Sequence, residues 1–179
     1  MLPDILAANL NVVFCGINPG LTAAASGHHF AGRGNRFWRA LNLAGFTPAE
    51  ILSQNDRSIL QYGYGLTTVV ARPTARADQL SADDFRAAAA PFAQKIRRHA
   101  PRCIGFLGKA AYAALSGQRN IAWGPQPVTF GGATVWVLPN PSGRNRAFTL
   151  AQLAAAYRQL HLAAAPFIPP VPHPAACGS

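Results

Sequence analysis

Val12-Val13-Phe14-Cys15-Gly16-Ile17 passes without a break into Asn18-Pro19-Gly20. An apolar, β-rich run of this length, closed by proline and glycine, reads as a buried strand ending in a turn. The pattern returns at Val135-Trp136-Val137-Leu138-Pro139, which passes into Asn140-Pro141-Ser142-Gly143. Working outward, β-rich runs stand at residues 11–17, 67–70, 103–107 and 134–138, with helical patterns between them at 35–44, 82–99, 110–115 and 147–162. Phe85, Ala89, Phe92 and Ile96 make one apolar stripe, and Leu150, Leu153, Tyr157 and Leu160 another. Ser81 and Asp84 have the spacing of a capping box, and Pro91 is expected to kink the helix they open. Residues 128–130 and 134–138, joined by Gly131-Gly132, read as a hairpin. The alternation predicts an α/β protein with a mostly parallel sheet and helices on both faces.

In such a sheet ligands bind beyond the carboxyl ends of the strands. The two Asn-Pro corners are therefore expected to face each other across one cleft. Pro19 and Pro141 fix the backbone there, Gly20 and Gly143 permit close approach, and Asn18 and Asn140 offer both donors and acceptors. Asn-Pro also opens ordinary loops, so the inference rests on the pair rather than on either corner.

The chain has 179 residues, 50% of them hydrophobic and 12% charged. That composition excludes global disorder and fits one domain, drawn at residues 1–165, with a Pro-rich tail at 166–179 expected to be disordered. Sixteen Lys and Arg against six Asp and Glu give +10, and fourteen of the cations are Arg, which suits bidentate phosphate contacts. Cys15, Cys103 and Cys177 stand far apart, so neither a zinc site nor a disulfide framework is expected. No signal peptide and no run of about 20 apolar residues is legible, so a cytoplasmic, soluble protein is expected. None of the six acids lies in a Gly/Pro-rich turn, which argues against a carboxylate-pair mechanism.

Gly27-His28-His29-Phe30-Ala31-Gly32-Arg33-Gly34-Asn35-Arg36-Phe37-Trp38 mixes glycines, aromatics and cations, as a stacking platform beside a phosphate track does. Phe30 is the stacking candidate, whereas Phe37 and Trp38 read as core. His28 and His29 lack a third ligand and are expected to contact phosphate or water. Gly143-Arg144-Asn145-Arg146 either enters a duplex groove or is a solvated basic turn. Gly105-Phe106-Leu107-Gly108-Lys109-Ala110 is too short for a P-loop and reads as strand, turn and helix start, with Lys109 placed to touch phosphate.

Phe14-Cys15-Gly16-Ile17-Asn18-Pro19-Gly20-Leu21, Asn35-Arg36-Phe37-Trp38, and Leu138-Pro139-Asn140-Pro141-Ser142-Gly143 with Arg146 closely resemble the mismatch-specific uracil-DNA glycosylase and thymine-DNA glycosylase family, family 2 of the uracil-DNA glycosylase superfamily. The likeness spans roughly residues 4–160 and includes Arg72-Pro73-Thr74 and Leu107-Gly108-Lys109. It implies a three-layer α/β/α sandwich around a short sheet. It also implies a monomer without cofactor or metal that flips out uracil, or thymine or an etheno-adduct, opposite guanine in double-stranded DNA and hydrolyses its glycosidic bond. By the same likeness Asn18 positions the water, while Ile17, Gly20, Phe30 and Asn140 form the base pocket. Gly143, Arg144 and Asn145 form the wedge that fills the vacated stack and inspects the guanine, and Ser142, Arg146 and Lys109 lie on the DNA backbone. Arg144 and Gly27-His28-His29-Phe30 lean toward the eukaryotic thymine-DNA glycosylases, and Thr22-Ala23 and Thr68 depart from bacterial relatives. Two alternatives stand beside this reading: an inactive mismatch-binding module of the same fold, and an unrelated α/β nucleotide-binding protein or hydrolase, against which the missing Walker, Rossmann and Gly-x-Ser-x-Gly patterns weigh.

Overall fold

A computed structural model of the chain describes residues 2–164. The strands are β1 (Val12–Gly16), β2 (Tyr64–Thr68), β3 (Cys103–Leu107), β4 (Gly124–Phe130) and β5 (Ala133–Leu138). They form one sheet in the order β2-β1-β3-β5-β4. β2, β1, β3 and β5 run parallel, and β4 closes the edge as an antiparallel hairpin partner of β5 with a register shift between Pro125 and Thr129. Side chains alternate across each strand. Val12, Phe14, Leu107 and Leu138 join the core under α2 (Phe37–Leu43) and α5 (Leu150–Ala163). Cys15, Ile104, Phe106 and Val137 join the opposite core, under α3 (Ala82–His99) and α4 (Lys109–Ser116). The three-layer α/β/α sandwich is therefore present, with a filled core on each side of the sheet.

Local chemistry explains where expectation and structure differ. β2 begins three residues before the predicted run because Gly65, an apparent breaker, sits inside it. A Cβ there would lie 2.7 Å from the Ile5 carbonyl oxygen, so that approach requires glycine. The capping box forms: Ser81 Oγ accepts from Asp84 N–H at 3.2 Å and Asp84 accepts from Ser81 N–H at 2.8 Å. α3 runs through Pro91, where a kink was expected, and continues as one helix to His99. Pro91 and Ala87 are both exposed, so the carbonyl that proline leaves unbonded faces water. Three elements were unforeseen, a short α1 (Leu21–Ser26) and 3₁₀ segments at Ser53–Tyr62 and Ala77–Gln79. α1 and the Ala77–Gln79 turn are too short for an apolar stripe to register, and the Ser53–Tyr62 segment is mostly polar and interrupted by non-helical backbone at Asn55. The predicted tail at residues 166–179 lies outside the described residues.

α5 also reaches the edge of the sheet formed by the strands' carboxyl ends. Its Tyr157 hydroxyl, fully buried, donates to the Pro139 carbonyl at 3.0 Å. Burial holds the phenol far above its ordinary pKa, so it remains a donor throughout the accessible range.

Candidate functional site

Parallel β1 and β5 deliver both Asn-Pro corners to the same sheet edge, with the end of β3 between them. There the corners share a hollow of about 1020 Å³ lined by Asn18 and Asn140. Ile17, Gly20 and Phe30 line it as well, and so do Ser142, Gly143, Arg144 and Asn145. Lys109 and Arg146 do not; Arg146 is exposed nearby, and Lys109 opens α4.

The side chain of Asn18 is fixed by two bonds. Its Nδ2 donates to the Arg72 carbonyl and to Thr74 Oγ1, each at 2.8 Å. A backbone carbonyl only accepts, so the amide nitrogen must face it. Thr74 Oγ1 in turn donates to the Arg76 carbonyl at 2.7 Å, which leaves its lone pair for Asn18. With both donors engaged, Oδ1 is the end of the amide left to hold a ligand proton. Thr74 N–H also donates to the Pro19 carbonyl at 3.1 Å, so one threonine braces both backbone and side chain of the corner. Arg72 is held in its turn by Asp84, through bonds of 3.0 and 2.7 Å. The Arg72 guanidinium, with help from Ser81, keeps the Asp84 carboxyl well below the usual carboxylate range. Thr74→Val keeps the shape but removes the hydroxyl. The single-turnover rate of whatever reaction the site performs is expected to fall about tenfold, with ligand affinity little changed, since one hydrogen-bond partner of Asn18 is lost.

The second corner is organised differently. Asn140 Oδ1 accepts from Ser142 N–H at 2.8 Å, so Asn140 offers a ligand its amide N–H. Asn145 donates through Nδ2 to the Asn140 carbonyl at 2.9 Å and accepts at Oδ1 from Ala147 N–H at 3.2 Å. Its amide thus works as a strut within the loop. Arg144 is exposed.

Phe30 adopts φ 58° and stacks on Phe37 with ring centroids 3.9 Å apart. Phe37 is fully buried, so the half-buried Phe30 extends the core out to the hollow. Phe37 and Trp38 are core, as their positions suggested. His29 corrects the expectation of a phosphate or water contact. It is buried, its Nε2 bonds the Pro3 carbonyl at 2.8 Å, its N–H donates to Asp56 at 2.7 Å, and its carbonyl accepts from Trp38 Nε1 at 3.1 Å. Asp56 also meets His28 Nδ1 at 3.4 Å. The glycines around the pair suggested exposure, but the N-terminal segment covers His29.

Burial lowers the His29 pKa from its ordinary 6.5. The unfolded chain therefore binds the proton more readily, and the stability from neutral His29 is complete above 6.5 and declines as pH falls toward the lowered value. His29→Gln is expected to flatten that part of the pH dependence of Tm.

The sequence reading left Thr74 without a role and missed Asp78, the one carboxylate lining the hollow among the described residues. Asp78 is exposed and paired with Arg76 at 3.0 Å. Arg72-Pro73-Thr74 was the available sign. Among the described residues no three His, Cys, Asp or Glu side chains gather as metal ligands. Charge is uneven along the chain: residues 85–179 carry ten cations and no acid, while the first 84 hold six of each.

A family model for the Uracil DNA glycosylase superfamily matches residues 3–161. Among solved structures, the fold resembles the solution NMR structure of a protein from Methanosarcina acetivorans described as a "putative Uracil DNA glycosylase". Identity is 20%, coverage is 89% of this chain and 96% of that one, and the TM-score is 0.60. This second likeness is one of fold.

Proposed function

The chain belongs to the uracil DNA glycosylase superfamily, and on that premise we propose that it is a monofunctional N-glycosylase that removes uracil mispaired with guanine from double-stranded DNA, leaving an abasic site. Thymine and etheno-adducts opposite guanine are the further substrates of this reading, and the protein acts as a cytoplasmic monomer. The observation that carries it is the locked amide of Asn18 inside a hollow shared by both corners.

A base within a stack is unreachable, so its nucleotide must swing out, at a cost of a few kcal/mol that is least for a mispaired base. The hollow has room for a nucleobase, with Phe30 as a stacking surface and the Asn140 amide as a donor. Cleavage leaves negative charge on the departing base and positive charge on the sugar. Donors aimed at the base stabilise the first, and DNA phosphates the second. A neutral amide takes no proton, so Asn18 is not a general base. Its Oδ1 accepts a hydrogen bond from water and holds the oxygen toward the sugar. Asp78, the one carboxylate at the hollow among the described residues, is paired with Arg76, and without a carboxylate base the enzyme forgoes about 10²–10⁴-fold in rate. The reading is therefore of a slow enzyme that depends on a good leaving group. Arg144 fills the gap left in the stack, and Ser142, Arg146 and Lys109 meet phosphates.

Incubation with a G·U duplex followed by alkali tests this. Free uracil together with an alkali-labile strand supports the reading. A mobility shift without base release would instead mark a mismatch-binding module.

A further inference from the structure

Arg36, one residue before α2, gives its whole side chain to the loop that follows the second corner. Nη1 donates to the Phe148 carbonyl at 2.6 Å. Nη2 donates to the Ser142 and Asn145 carbonyls at 2.9 and 2.7 Å. Nε reaches the Pro141 carbonyl at 3.5 Å, and the Arg36 backbone N–H donates to that same oxygen at 3.0 Å. Four carbonyls of residues 141–148 thus converge on one half-buried guanidinium, which makes no ion pair with any carboxylate among the described residues.

This is an unusual use of an arginine. The rigid five-donor fork fits converging acceptors as no ammonium does. By collecting the carbonyls on one side, it fixes the path of a loop that has no regular secondary structure. Loop ordering at an interface costs free energy on binding, and prior ordering removes that cost. The next residue is Phe37, on which Phe30 stacks. One short segment therefore carries both the buried ring that backs Phe30 and the fastening of residues 141–148.

We propose that Arg36 is a positioning residue that sets the wedge loop in its inserting conformation and so gives the enzyme its preference for duplex over single-stranded substrate. This rests on the glycosylase reading above. The base pocket is needed for either substrate, whereas a wedge acts only where a stack has been vacated.

The test compares wild type, Arg36→Lys and Arg36→Gln on uracil opposite guanine in a duplex and on the same strand alone, in single turnover. Arg36→Gln is expected to lose roughly tenfold or more on the duplex, as for broken charge-assisted hydrogen bonds, and less than about twofold on the single strand. Arg36→Lys should recover part of the duplex rate. Backbone amide NMR shifts of residues 142–148 should move in both variants while Thr74 stays in place. Equal losses on the two substrates, no loss on either, or unmoved loop amides would each overturn the proposal. If the wild type releases no base, the glycosylase reading fails, and the same duplex-to-single-strand ratio measured in binding then decides the role of Arg36.

Discussion

Asn18→Ala is expected to lower single-turnover release of uracil from a G·U duplex by at least about a hundredfold while leaving duplex affinity nearly unchanged. The magnitude follows from misplacing the water: an error of about 1 Å at a reacting atom costs of order a hundredfold. Affinity is spared because Asn18 makes no phosphate contact in this scheme, and the basic segments supply the sequence-independent attraction. Asn18→Asp gives a sharper check. The carboxylate would set an acceptor against the Arg72 carbonyl, where Nδ2 now donates at 2.8 Å. A side chain that cannot sit there should lose activity despite being a better base. Full activity in Asn18→Ala would remove Asn18 from the chemistry, and higher activity in Asn18→Asp would mean that the amide's orientation is not what matters.

Gly143→Ala should produce the second large effect. A Cβ on Gly143 would stand 2.7 Å from the Gly34 carbonyl oxygen and 3.1 Å from the Gly34 carbonyl carbon. Both are backbone atoms, so no side-chain rotation relieves the clash. Overpacking of this kind costs about 1–3 kcal/mol. Gly143 and Gly34 are exposed, so the loops move apart rather than the core unfolding. Duplex excision is expected to fall about tenfold, with Tm within a few degrees of wild type. Unchanged excision on duplex DNA would show that the two loops need not touch.

The architecture was legible because strands and helices are written locally. Residues 103–107 form β3 as predicted, β5 differs by one residue at its start, and the Ser81–Asp84 box starts α3. The meeting of the two corners was legible too, since parallel strands bring their carboxyl ends to one edge whatever lies between. What escaped is long-range and mostly between side chain and main chain. Thr74 lies 56 residues from Asn18, and Arg36 lies more than 100 residues from each carbonyl it binds. Neither bond leaves a periodic trace. His29 was misjudged for the same reason, because its partner Pro3 is 26 residues away. Where a residue's partners are near in sequence or fixed by sheet topology, pattern suffices; where they are single distant atoms, only the folded chain reveals them.

The bond from Tyr157 to the Pro139 carbonyl has a bearing on biosynthesis. The second corner is braced by a helix that follows it in the chain, and Leu153 and Leu160 of that helix complete the core beneath β5. A nascent polypeptide stalled before residue 150 would display its first corner without a braced counterpart. Bracing of the second corner therefore waits until α5 has cleared the ribosome and docked.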